Sequence, residues 1–77
     1  MINNQYGDIP NEVRWARLQA GISTQRELAR LSGIHPSIIS ALERGRRKMS
    51  ARWAYKIAKV TGASYEDLMK MSNSNTD

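Results

Sequence analysis

Residues 25–45 read Gln25-Arg26-Glu27-Leu28-Ala29-Arg30-Leu31-Ser32-Gly33-Ile34-His35-Pro36-Ser37-Ile38-Ile39-Ser40-Ala41-Leu42-Glu43-Arg44-Gly45. This stretch predicts two short helices joined by a tight turn. Thr24 stands just before it with Glu27 three residues on, the pattern of a capping box. Gly33 follows the first helical stretch, where a left-handed position favours a residue without Cβ. Pro36 then opens the second helix at a position where its missing N–H costs nothing. Leu28, Leu31 and Ser32 line up on one face, and Ala29 is small enough for a close helix crossing. In the second helix Ile39 and Leu42 point inward.

Working outward, the same punctuation recurs. Gly21 and Gly62 also close helical stretches, and Ser50 and Ser64 precede others, the last with Glu66 and Asp67 in the first turn. The reading is five helices near 10–20, 24–32, 36–44, 50–61 and 64–70. No five-residue stretch alternates with β-branched content, so strands are not expected. Residues 1–9 are read as an N-terminal arm, 10–70 as one domain, and 71–77 as a disordered polar tail.

Composition narrows the class. The 77 residues hold no cysteine and one histidine, and 40% are apolar without a phenylalanine. Disulfide frameworks and thiolate zinc sites are excluded, and the core has to come from Leu, Ile, Val, Ala, Met and the two tryptophans. No apolar run reaches membrane-spanning length, and the start MINNQYGD has no secretory pattern, which leads to the expectation of a cytoplasmic protein. His35 has no cysteine and no acid pair nearby, so no metal and no cofactor are expected. It suits helix capping or a phosphate contact instead. No nucleophile–base pair or phosphate loop can be assembled, which argues against an enzyme.

The charge is unevenly placed. The total is +5, yet residues 44–59 carry Arg44, Arg46, Arg47, Lys48, Arg52, Lys56 and Lys59 with no acid. Such a block suits a polyanion, although a solvated face is the plain alternative. In the helix near 50–61, Trp53, Ile57, Val60 and Thr61 form an apolar side. Arg52, Lys56 and Lys59 form a cationic one. Trp53 is assigned to the core rather than to a stacking platform. In the first helix Val13, Arg17 and Ala20 share one stripe, and Trp15 and Leu18 a neighbouring one.

Residues 25–45, with the flanking Lys56-Ile57-Ala58-Lys59-Val60-Thr61-Gly62-Ala63-Ser64, resemble the helix-turn-helix of the phage Cro/C1 repressor (Xre-type) family. The likeness spans about residues 11–69. It rests on Ala29 at the crossing, Gly33 in the turn, and Leu28, Ile34, Ile39 and Leu42 at buried positions. It implies an all-α, compact five-helix, lambda-repressor-like DNA-binding domain. The implied function is a sequence-specific transcriptional regulator, a repressor, on a palindromic operator in double-stranded DNA.

By the same resemblance, Pro36, Ser37, Ser40, Ala41 and Arg44 would meet base edges in the major groove. Gln25 and Arg26 at one helix start, His35, Arg46, Arg47, Lys48 and Arg52 would meet phosphates. Arg17 and Glu43 would form a structural ion pair, since a buried arginine needs a carboxylate; a phosphate grip by Arg17 is the alternative. Two departures stand out. Residues 21–25 are one longer than the commonest family spacing. Pro36 and Ala41 also replace the polar readers usual there, which shifts weight to DNA shape and the loop arginines.

A homodimer is expected, because one short helix reads too few base pairs. Leu68, Met69 and Met71 on the fifth helix are its expected contact. The competing reading is a protein-interaction module of the same fold, with a toxin or a polymerase subunit as partner. Pro36, Ile38 and Ala41 on the outer face support it.

Overall fold

The computed structural model describes residues 11–73 of the chain, with side chains as far as residue 70. The five helices are α1 (Glu12–Gln19), α2 (Gln25–Ser32), α3 (Pro36–Glu43), α4 (Ala51–Thr61) and α5 (Tyr65–Asn73). No strand occurs among the described residues. The fifth helix runs through residue 73, three residues beyond the end expected at 70. The supposed arm at 1–9 and residues 74–77 lie outside the described residues.

Each helix starts on a side-chain acceptor. Asn11 Oδ1 receives the Arg14 amide, Thr24 Oγ1 that of Glu27, Ser50 Oγ that of Trp53 and Ser64 Oγ that of Asp67. Such caps contribute about 1 kcal/mol each by satisfying amides the helix cannot reach. The capping box at Thr24 is only half formed. The Glu27 carboxylate turns outward to Arg30, with Nε at 3.1 Å from Oε1, because a guanidinium one turn on is a stronger partner than a neutral amide. That hydrogen bond lowers the Glu27 carboxyl from its ordinary value, against an opposing desolvation and with help from the charge of Arg30.

Between α2 and α3 the chain reverses in three residues. Gly33 takes φ +76°, and its amide reaches back to the Ala29 carbonyl at 2.9 Å. Ser32 Oγ then receives the Ile34 amide at 3.3 Å. A residue with Cβ at Gly33 would meet no neighbour, so the demand for glycine is conformational alone.

The core draws on every helix and on the loops. Val13, Leu28, Ile39, Leu42, Ala54, Ile57 and Leu68 are wholly buried, and Ile22, Ile34 and Met49 join them from the connections. Burying a Leu, Ile or Val side chain contributes about 1.5–3 kcal/mol. α2 packs on α3 and α4, α1 on α3, α4 and α5, and α4 on α5.

Several sequence assignments fail here. Trp15 is 51% exposed and Leu31 45%, while Trp53 is half-buried against the core edge. The tryptophans therefore do not form the centre. Ala20 is exposed, and Ala16 takes its inward place on α1. Small Ala54 on α4 is wholly buried in the core. Leu68, expected to be exposed for dimerisation, is completely buried; Met69 packs against the core, and the Met71 side chain lies outside the described residues.

Candidate nucleic-acid interface

α3 is an eight-residue helix fixed at both ends. At its start the His35 imidazole caps it, Nδ1 receiving the Ser37 amide at 3.1 Å and lying 2.9 Å from Ser37 Oγ. A ring nitrogen accepting an amide hydrogen must be unprotonated, so the cap uses neutral His35. At its end the Asn11 side-chain amide, the same residue that caps α1, donates to the carbonyls of Leu42 (2.6 Å) and Glu43 (3.0 Å). One asparagine thus satisfies orphan groups of two helices, an amide on α1 and carbonyls on α3.

Beneath α3 lies a buried charged cluster. Arg17 Nε meets Glu43 Oε2 at 2.7 Å and Arg17 Nη2 meets Oε1 at 3.2 Å. Arg17 Nη1 also donates to the Ile22 carbonyl at 3.2 Å, which ties down the longer loop of residues 21–24. Gln25, first residue of α2, donates through Nε2 to Glu43 Oε1 at 3.1 Å. The cluster has a physical logic: two charges removed from water face each other in two-pronged geometry, with further hydrogen bonds on both. Among the described residues no buried side-chain nitrogen or oxygen is left without a partner.

The outer face of α3 begins with exposed Pro36 and Ser37, continues through half-buried Ser40 and Ala41, and ends at exposed Arg44, the C-cap. Ile38 departs from the sequence reading, since it is half-buried and packs against the core. The loop beyond carries exposed Arg46, Arg47 and Lys48, anchored where the Arg46 amide meets the Ala41 carbonyl at 2.8 Å. Arg52 is exposed on the first turn of α4, and Arg26 on the first turn of α2. Arg47 lies over the Trp53 ring, its guanidinium carbon 5.4 Å from the ring centre. The short loop therefore places Arg44, Arg46, Arg47 and Lys48 in sequence beside the end of α3. Gln25 commits one amide hydrogen to Glu43, which leaves its second for the expected phosphate contact.

Sequence reasoning missed Asn11. A cap at the start of α1 is legible in its residue type, but its contact with carbonyls 31 and 32 positions away is not. No cluster of potential metal ligands occurs among the described residues, and no described helix is long and apolar enough to cross a membrane.

Two capped helices linked by a three-residue glycine turn, the second with an open outer face, define a helix-turn-helix protein. Residues 13–68 match the family model described as helix-turn-helix, and the chain belongs to that family, in its Cro/C1-type branch. Two proteins of Archaeoglobus fulgidus, each named an uncharacterized HTH-type transcriptional regulator, are similar to it. One is 45% identical over 56 residues, which cover 73% of this chain and 79% of that protein. The other is 44% identical over 45 residues, covering 58% of this chain and 63% of its own length. No solved structure matches the chain significantly.

Proposed function

We propose that this chain is a DNA-binding transcriptional regulator of the cytoplasm, a repressor that binds a palindromic operator as a homodimer with α3 in the major groove. The observation that carries the reading is the continuity of the outer face of α3 with the exposed cations of residues 44–48. Pro36, Ser37, Ser40, Ala41 and Arg44 are the base-facing set. Gln25, Arg26, His35, Arg46, Arg47, Lys48 and Arg52 are the phosphate-facing set. The names of the two archaeal relatives support regulation of transcription. Ile38 was one of three apolar residues favouring a protein-interaction module, and its packing against the core weakens that alternative.

Selection of bound duplexes from a random library tests the reading. Enrichment of a palindrome with half-sites about 34 Å apart supports it. Affinity should fall steeply with salt, and Arg46→Ala should lower the log–log slope by about 0.9. Absence of enrichment together with a slope near zero would sink it.

A further inference from the structure

Trp53 makes a contact that neither core packing nor base reading accounts for. Its backbone is fixed, because its amide is capped by Ser50 Oγ at 3.2 Å on the first turn of α4. Its side chain packs against the core while remaining only half-buried. The open part of the indole carries the Arg47 guanidinium, 5.4 Å from the ring centre. Arg47 stands between Arg46 and Lys48 in an exposed loop, where like charges repel and an arginine samples many rotamers.

We propose that Trp53 is a positioning residue that holds Arg47 ready for a DNA phosphate; this rests on the DNA-binding reading above. The chemistry suits the task. With the guanidinium carbon 5.4 Å from the ring centre, the indole attracts the cation through its charge. A guanidinium has five N–H groups, more than one ring face can occupy, which leaves some for a phosphate oxygen. Ordering the side chain before DNA arrives removes part of the entropy lost on binding. The indole thus strengthens a contact that it does not itself make.

The test uses the full chain, its Trp53→Leu, Trp53→Phe and Arg47→Ala variants, and a labelled duplex of mixed sequence, since a phosphate contact does not depend on the operator. In free protein, proton NMR should show the Arg47 side chain shifted upfield by the indole ring current. The shift should persist in part with Phe and vanish with Leu. Trp53→Leu should weaken duplex binding roughly two- to five-fold, and should add nothing in the Arg47→Ala background. Phe should recover most of the loss, which a purely structural defect would not predict. An undiminished effect of Trp53→Leu beside Arg47→Ala overturns the proposal. So does a parent protein that binds duplex without the ring-current shift. A parent that shows the shift but binds no duplex overturns the DNA reading and the positioning role with it.

Discussion

Arg17 and Glu43 are 26 residues apart in the chain and meet through two parallel contacts of 2.7 and 3.2 Å, with both side chains over nine-tenths buried. The pair joins α1 to the last residue of α3. Removing one partner leaves the other charge stranded in a place water cannot reach. Arg17→Met should therefore destabilise the fold by about 3–5 kcal/mol, read as a lower urea midpoint. Duplex affinity, measured below the melting range, should fall only as far as the folded fraction does. Arg17→Met with Glu43→Leu should recover much of the stability; equal loss in the single and double variants would refute the charge argument.

Asn11 separates two contributions by substitution. Asn11→Ser keeps an oxygen for the Arg14 amide but gives up the donor to Leu42 and Glu43. Asn11→Ala loses both. Serine should cost about 1 kcal/mol and alanine about 2. Identical melting temperatures for the two variants would show that the cap on the Arg14 amide contributes nothing. A serine variant as stable as the parent would show the same of the contact across to α3.

Ser37 divides stability from binding. It is exposed on the first turn of α3, where an acid interacts well with the helix N-terminus. Ser37→Glu should leave the melting temperature unchanged or slightly higher. In the proposed complex the added carboxylate enters a groove walled by phosphates, and affinity should drop about tenfold or more at low salt. Unaltered affinity would take the start of α3 out of the interface. Ala41→Glu is the poorer probe, since Ala41 is half-buried.

Leu68 decides between core and dimer. Its burial predicts that Leu68→Ala lowers stability by about 2–5 kcal/mol, by the same amount at every protein concentration. A loss that shrinks as concentration rises would instead assign the residue to a contact between subunits.

The fold was legible wherever a local signal decides structure. Thr24, Ser50 and Ser64 mark helix starts through a single side-chain oxygen. Gly33 marks a reversal because few other residues tolerate its φ. What was not legible depends on partners distant in sequence. α1 offers two apolar stripes, and only the seat of Arg17 against Glu43 decides that Ala16 turns inward while Trp15 faces solvent. Ala54 was not singled out from the sequence, yet it is wholly buried. Leu68 was read as exposed because, with Met69 and Met71, it forms a terminal apolar cluster that a second copy could cover. α5 instead packs on α1 and α4, and Leu68 lies wholly buried in the core. For the candidate site, the likeness that singled out residues 25–45 also paired Arg17 with Glu43. The Asn11 bridge and the stacking of Arg47 on Trp53 arise only when separate segments are brought together.

The anchoring of α3 at its two tips bears on how such a protein changes over generations. His35 secures one tip and Asn11 the other, while Leu42 and Ile39 grip from below. Exposed Pro36 and Ser37 belong to none of these attachments except through the Ser37 hydroxyl and amide. Under the proposed reading, substitutions at the exposed start of the outer face can re-address the protein to another operator with little folding penalty to be repaired elsewhere. A lineage carrying this scaffold is free to diverge in its targets while its interior stays as it was.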